Sequence, residues 1–262
     1  MTTEYATNTV NVKIDGRVAT VEMNRPESLN SLNYEMLKGL VGNLKELSLS
    51  DEIDIIVLRG NGRAFSSGGD IKTMLASSNE NDFFTVMDCI NELVVTLYSI
   101  PKLTISAITG PAAGLGLSLA LATDYILAEE NSKIAMNFIG IALIPDGGAH
   151  FFLERRLGED KAKHLIWEGK QLQAEAALKI GLVHEVAENL DDALNAKLQG
   201  WLNRPVQAMI KTKKILAEKN RPHLLKILEL EKFGQQKMRQ TADHREGVQA
   251  FIEKRKPNYT GK

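Results

Sequence analysis

The chain contains two glycine-rich segments, AFSSGGDIKTM at 64–74 and TGPAAGLGLSLALATD at 109–124. Each follows an apolar, strand-like run and leads into a pattern typical of a helix. Such a turn leaves backbone N–H groups unpaired at the start of a helix, and glycine lets a ligand approach them closely. Two such turns in one domain can direct donors at a single oxygen atom. The pair therefore predicts an oxyanion hole; tight packing of the two turns is the alternative.

Composition and charge narrow the classes of partner. The 262 residues carry 32 Lys and Arg against 33 Asp and Glu, so no net charge favours nucleic acid or an anionic membrane. The N-terminal MTTEYATNTV lacks the basic and apolar regions of a signal peptide. Charged residues interrupt the apolar stretches before they reach membrane-spanning length. We therefore expect a soluble, cytoplasmic protein without nucleic-acid or membrane partners.

Metal and thiol chemistry find little support in the sequence. The five histidines are scattered without the spacing of a metal site, so we expect no metal. The single cysteine, Cys89, lies in a helical pattern and is expected to be a buried thiol without a catalytic role. His150 either lines a pocket or is a hydrogen-bonded residue at the edge of the core.

The order of predicted elements indicates an α/β protein. Alternating apolar residues on both sides of Asp15 and Gly16 predict a β-hairpin, and helical spacing extends from Asn33 to Leu47. Further strands are predicted in DIIVLRG, LTISAITG, TDYILAEE and GLVHEVA, with a helix over about 82–99. Nearly everything after residue 190 fits a helix. The sequence thus predicts an α/β core over 1–204 and a helical region over 205–262.

Five motifs, in order along almost the whole chain, resemble the enoyl-CoA hydratase/isomerase family, or crotonase superfamily. They are the two glycine-rich segments together with NRPESLNSL at 24–32, LIPDGGA at 143–149 and DHREGVQAFIEKRKPNYTGK at 243–262. The resemblance implies a crotonase-like (ClpP/crotonase) spiral of strand-strand-helix repeats, with C-terminal helices that mediate trimer contacts. It also implies an acyl-CoA substrate, a homotrimer or dimer of trimers, and no cofactor apart from the coenzyme A of the substrate.

The resemblance assigns the two oxyanion-hole donors to the backbone N–H groups of Gly69 and Leu115. Leu115 stands where many relatives have glycine, which the role tolerates because only the backbone contributes. Losing one such donor typically costs about 3 kcal/mol of transition-state stabilisation. The resemblance also places further residues along the substrate, with the last two near the CoA phosphates: Ser67, Gly68, Asp70, Ile71, Lys72, Gly114, Arg25 and Lys254. Asp70 is also a candidate cap for a helix beginning at Ile71, and the basic residues are equally candidates for solvated surface charges.

The chain lacks both glutamates that many hydratases of the family use to activate water. Ser118 occupies the first position and Phe138 the second. A lone hydroxyl is a poor base, and phenylalanine cannot transfer a proton. Asp146 in LIPDGGA instead resembles the single acidic residue of the isomerase branches, including the ring-epoxide isomerase of phenylacetate breakdown.

Asp146 is therefore the candidate catalytic acid/base of an isomerase, because one carboxylate can remove and return a proton. The alternative is that Asp146 caps the helix that follows it, a role that would lower its basicity. A 2-enoyl-CoA hydratase is the second enzymatic hypothesis. An RNA-binding or non-catalytic relative is the third, with its candidate basic patch at Lys211, Lys213, Lys214, Lys219 and Arg221.

Overall fold

The structure, a computed structural model, describes residues 2–6, 8–70 and 80–262. Its main sheet has seven strands in the order β1-β2-β3-β4-β5-β7-β10, and a small sheet has the order β6-β8-β9. The strands are β1 (Thr2–Ala6), β2 (Val10–Asp15), β3 (Val18–Met23), β4 (Ile55–Gly60), β5 (Leu103–Ile108), β6 (Pro111–Ala113), β7 (Tyr125–Glu129), β8 (Lys133–Ala135), β9 (Gln171–Gln173) and β10 (Glu185–Ala187).

Helices separate most of the strands and continue after the last one. They are α1 (Tyr34–Leu49), α2 (Glu80–Ser99), α3 (Leu115–Leu121), α4 (Ala149–Leu157), α5 (Glu159–Glu168), α6 (Ala174–Lys179), α7 (Leu190–Leu202), α8 (Val206–Arg239) and α9 (Ala242–Glu253). Two 3₁₀ turns complete the pattern, at Pro26–Ser28 and Phe138–Ile141. The prediction of an α/β core followed by a helical C-terminal region is confirmed. The division at residue 204 stays a prediction, although Pro205 directly precedes α8.

The first strands form the predicted hairpin. β2 and β3 pair antiparallel across a turn in which Gly16 has a φ of 55°, a left-handed conformation that glycine adopts without strain. β1 is not predicted by the sequence pattern, and it adds a further antiparallel strand beside β2. From β3 onwards the neighbouring strands β4, β5, β7 and β10 are all parallel. Their C-terminal ends therefore lie on one edge of the sheet, where ligands bind in open α/β sheets.

The main sheet is covered on both faces. Ile56 and Leu58 of β4 belong to the larger apolar cluster, with residues of α1, α2, α3 and α4. Ile55 and Val57, which point to the opposite face, belong to a second cluster with residues of α7 and the start of α8. Because successive side chains of a strand alternate between faces, a continuous apolar run is what a strand covered on both sides requires.

The two glycine-rich segments lie beside each other and extend the small sheet. Ser66 N–H donates to the Pro111 carbonyl at 3.0 Å, and Ala113 N–H donates to the Ser66 carbonyl at 3.0 Å. This parallel pairing continues into α3, where a Cβ on Gly116 would lie only 2.6 Å from the Cβ of Ser66. Only glycine at position 116 lets α3 approach the first segment this closely.

Substituting Gly116 tests this close approach. Gly116→Ala places a methyl group against both the side chain and the backbone of Ser66, so we expect destabilisation of about 1–3 kcal/mol, the usual range for an overpacked core. Gly42→Ala in α1 is the matched control, because no atom lies within 4 Å of its added Cβ. Thermal unfolding measures both variants. A Gly116→Ala midpoint equal to that of wild type would contradict the packing described.

Candidate active site

The first glycine-rich turn touches the start of the helix that follows the second. Gly68 has a φ of 98°, and a Cβ placed there would lie 2.9 Å from the Ala113 carbonyl oxygen and 3.5 Å from the Leu115 nitrogen. Both the left-handed backbone and the lack of space require glycine. The backbone pairing of the two segments thus brings the amides of Gly69 and Leu115 to one cavity wall.

Neither of these two amides donates a hydrogen bond to a residue that the structure describes. Leu32 bonds the neighbours of Gly69, donating to the Gly68 carbonyl at 2.8 Å and accepting from the Asp70 N–H at 3.2 Å. The Gly69 N–H therefore points away from Leu32. Leu115 opens α3, where an N–H has no helical acceptor. Since neither amide donates to an acceptor within 8–70 or 80–262, the arrangement can receive an external oxygen.

A cavity of about 480 Å³ adjoins these amides. Its wall is mainly apolar, as expected of a site that takes a hydrocarbon chain. The apolar residues that line it include Leu37, Phe83, Val86, Met87, Ile90, Phe138, Ile141, Leu143 and Phe251. Four of these, Phe83, Val86, Met87 and Ile90, belong to α2, whose apolar spacing is the same for a helix that faces a core and one that faces a pocket.

Asp146 lines the same cavity and is enclosed by protein. Its Oδ2 accepts a hydrogen bond from Gln235 Nε2 at 3.3 Å, whereas Oδ1 has no partner among the described residues. Burial, and secondly the negative charge of Glu231, raise the pKa of Asp146 to about 8. The carboxyl group is therefore largely protonated at neutral pH, and its pKa lies where a group that gains and loses a proton is most useful.

The alternative of Asp146 as a helix cap is wrong. α4 begins at Ala149, after Gly148, and no side chain of the preceding loop caps it. Instead, Glu231 of α8 accepts hydrogen bonds from the N–H groups at the start of α4, from Gly148 at 2.7 Å and from His150 at 3.0 Å. Because the Glu231 carboxylate accepts these hydrogen bonds, the Asp146 side chain is not needed to cap α4. The lowered pKa that a capping role would give Asp146 is also wrong, since its pKa is raised.

Comparison with known proteins agrees with this geometry. A sequence profile of the family described as “Enoyl-CoA hydratase/isomerase” matches residues 13–262. The chain belongs to this family. YhaR of Bacillus subtilis (strain 168), which bears only the name of the family, is 45% identical over 247 residues, 94% of this chain and 96% of YhaR. The 1,2-epoxyphenylacetyl-CoA isomerase of Escherichia coli (strain K12) is 35% identical over 254 residues, 95% of this chain and 97% of the isomerase.

Solved structures of the family confirm the fold. The crystal structure of an enoyl-CoA hydratase from Mycobacterium avium subsp. paratuberculosis K-10 has a TM-score of 0.87 and 31% identity, covering 96% of this chain and 98% of the hydratase. The predicted crotonase-like fold is therefore confirmed. The chain is thus related to a named isomerase and to a named hydratase, and only its own site residues can discriminate between the two reactions.

The two positions at which many hydratases of the family carry glutamate hold no carboxylate. Ser118 is buried in α3, and its hydroxyl donates to the Asp146 backbone carbonyl at 2.8 Å. Phe138 contributes its ring to the cavity wall. The serine therefore supports the backbone of the loop that carries Asp146, and the phenylalanine adds apolar surface.

The remaining sequence-predicted site residues fall into three groups. Those that line the cavity with Gly69, Leu115 and Asp146 are Ser67, Gly68, Asp70 and Gly114. Arg25 and Lys254 are not among the described lining residues: Arg25 Nη1 pairs with Asp70 Oδ2 at 2.9 Å, and Lys254 is exposed at the end of α9. Ile71 and Lys72, and any helix that Asp70 caps there, lie outside the described residues. Contact of these residues with substrate stays a prediction.

His150, in the first turn of α4, contacts Glu231 of α8. Its Nδ1 is 2.7 Å from Glu231 Oε1, and it is not among the described lining residues, so it is a hydrogen-bonded residue at the edge of the core. In the described part of the chain, His, Cys, Asp and Glu side chains form no group of three able to hold a metal ion. Among the same residues, no helix combines the length and apolarity that crossing a membrane requires.

The raised pKa of Asp146 predicts a pH-dependent effect of Asp146→Asn on stability. From about pH 4 to pH 8 the unfolded chain releases this proton while the folded protein keeps it, so the carboxyl group destabilises the fold increasingly over that range. Asparagine stays neutral. We therefore expect the melting temperature of Asp146→Asn, relative to wild type, to be higher at about pH 9 than at about pH 5.

The exposed Asp51, changed to Asn, provides the matched control, whose melting temperature relative to wild type should be the same at both pH values. Melting curves by circular dichroism or scanning calorimetry give the comparison. If the difference in melting temperature between Asp146→Asn and wild type does not change with pH, the pKa of Asp146 is ordinary and its carboxyl group is not buried.

Proposed function

We propose that this protein is an enoyl-CoA isomerase that uses Asp146 as its single acid/base. One observation carries the proposal: a buried carboxyl group and two backbone amides line the same cavity, and one carboxyl oxygen and both amides have no partner among the described residues. No carboxylate occupies position 118 or 138. The site has the donors for an enolate oxygen and one group for proton transfer, which suffices for isomerisation.

The proposed reaction moves a double bond along the acyl chain. The thioester oxygen of a 3-enoyl-CoA accepts hydrogen bonds from Gly69 and Leu115, and the Asp146 carboxylate removes a proton from C2. The C–H electron pair enters the conjugated system and places negative charge on the thioester oxygen, where the two amides stabilise it. Asp146 returns the proton to C4, and the double bond then lies between C2 and C3. No cofactor takes part, and the Asp146 carboxylate is regenerated at the end of the cycle.

The environment of Asp146 suits this proton transfer. A base with an ordinary aspartate pKa would remove a proton from carbon poorly, whereas burial and Glu231 strengthen Asp146 by raising its pKa to about 8. The cost is that only a minority of molecules carry the ionised form at neutral pH. The same site would also suit a ring-epoxide thioester, the substrate class named for the Escherichia coli relative.

Hydration of a 2-enoyl-CoA is the second candidate, since the family includes hydratases. It requires a group that activates water in addition to the proton donor. On the cavity wall, Asp70 is already engaged within the fold, because it accepts hydrogen bonds from Arg25 at 2.9 Å and Ser31 at 3.3 Å. A role in RNA binding has less support: Lys213, in the middle of the candidate basic patch, is buried in an ion pair with Asp124 at 2.8 Å.

We further propose that the protein acts in the cytoplasm as a homotrimer or a dimer of trimers. Large apolar side chains are exposed on the C-terminal helices, where a monomer would leave them in water. They include Leu225, Leu230, Phe233, Phe251 and Ile252. Sedimentation at the mass of a single chain would contradict this assembly.

Isotope exchange tests the reaction. In deuterated water, wild-type protein given a 3-enoyl-CoA should form the 2-enoyl isomer and incorporate deuterium, without the gain of a water molecule. Asp146→Asn should bind the substrate with similar affinity and lose at least about 100-fold in rate, because general acid–base catalysis typically supplies that factor or more. Mass spectrometry of the CoA thioesters measures both.

Two controls keep the result specific. The exposed Asp51→Asn variant should turn over like wild type, and crotonyl-CoA should gain water slowly or not at all. Rapid hydration of crotonyl-CoA would favour the hydratase. Undiminished isomerisation by Asp146→Asn would remove Asp146 from the mechanism.

A further inference from the structure

The C-terminal helix α8 presents two polar side chains to the loop that carries Asp146. Glu231 and Gln235 are four residues apart, so they lie on the same face of α8, one turn from each other. Each is only 2% exposed. A charged carboxylate and an amide are rarely buried so fully unless specific partners hold them.

Glu231 is fully engaged at the start of α4. Its two oxygens accept from Gly148 N–H and His150 N–H, and His150 Nδ1 is 2.7 Å from Oε1. This contact fixes α8 against the segment just after Asp146. Gln235, one turn further along α8, is thereby held opposite Asp146 itself.

Gln235 contacts the loop at two points. Its Nε2 donates to the Ile144 backbone carbonyl at 2.5 Å and to Asp146 Oδ2 at 3.3 Å. The two hydrogens of one amide group can serve both acceptors. On the other side, Ser118 holds the backbone carbonyl of Asp146. In the described structure Gln235 is the only hydrogen-bond donor to the Asp146 carboxyl group, so the direction of that group depends on it.

We infer that Gln235 is a positioning residue: its amide anchors the Asp146 carboxyl group and the neighbouring Ile144 carbonyl, and so sets how Asp146 meets the bound acyl chain. The inference rests on the proposed function for its catalytic consequence. Its structural part, the anchoring of Asp146, can be measured independently of turnover. Neither motif comparison nor local periodicity identifies this residue, which lies 89 positions from Asp146.

The chemistry of the amide fits the role. A lysine or arginine at this position would form an ion pair with Asp146 and make it a weaker base. An amide carries no charge, so it orients the carboxyl group and preserves most of its basicity. The titratable groups near this site are Glu231 and His150, which contact each other at the start of α4, and Asp70, Asp82 and Arg239, which line the cavity with Asp146.

The test compares Gln235→Met with Gln199→Met. Methionine keeps the length of glutamine and removes the donor, and Gln199 is an exposed glutamine on α7. The first readout is the titration of Asp146, followed by carbon-13 NMR of its carboxyl group, with Asp146→Asn identifying the signal. Loss of a donor to the ionised form should move the titration of Asp146 in Gln235→Met to higher pH. Gln199→Met should leave it unchanged.

The second readout is isomerase kinetics. For Gln235→Met we expect kcat to fall by about 10- to 100-fold, with KM within about 3-fold of wild type. The reason is that a misaligned Asp146 carboxyl group slows proton transfer but changes substrate affinity little. Gln235→Glu offers an independent check, since a second carboxylate should move the Asp146 titration further towards high pH. An unchanged titration in both Gln235 variants overturns the inference. If wild type has no isomerase activity, the proposed function fails, and the titration alone decides the role of Gln235.

Discussion

The parallel pairing between residues 64–69 and 111–113 is the constraint on which the site depends. Two backbone hydrogen bonds, each 3.0 Å long, join Ser66 to the second segment and bring two separate turns into contact. Gly68 and Gly116 then allow approach distances that any side chain would prevent, and Gly114 adopts a φ of 52°, a backbone conformation that favours glycine. The result is a pair of amides, fixed by the fold itself, that have no acceptor in the described part of the chain. Donors that are already in place when charge develops need no reorganisation during the reaction.

Beside these amides the protein buries the carboxyl group of Asp146, where its ionised form is unfavourable. Asp146 is buried, has an unpartnered oxygen and lies near a second buried carboxylate, Glu231. Such an arrangement destabilises the ionised form and would be removed if stability alone mattered. This electrostatic cost is useful for proton transfer, because the burial that lowers stability also makes the carboxylate a stronger base.

The sequence could predict those parts of the molecule whose signals are local. The β2–β3 hairpin follows from alternation around Asp15 and Gly16, and α1 follows from helical spacing after Asn33, whose side chain does cap it through Met36 N–H at 2.9 Å. The glycine turns were identifiable because they leave amides accessible at a helix start, and Asp146 because its motif resembles that of the isomerase branches of the family. β1 was missed, since its short run precedes the regular pattern.

Contacts between residues far apart in the chain could not be predicted. Capping by Asp146 was the alternative to catalysis, because Asp before Gly-Gly-Ala is a common helix start signal, yet Glu231 accepts from Gly148 N–H across 83 positions of the chain. Gln235 was missed for the same reason, since a polar residue on a long helix gives no indication of which cavity it borders. Such roles become visible only when α8 is packed against the loop.

The most direct test is a crystal structure of the protein with a saturated acyl-CoA, which keeps the thioester carbonyl but cannot isomerise. The account predicts the carbonyl oxygen at about 2.7–3.1 Å from both the Gly69 and Leu115 nitrogens, with Asp146 beside the α carbon. A carbonyl oxygen beyond hydrogen-bond reach of either amide, in an otherwise occupied cavity, would contradict it.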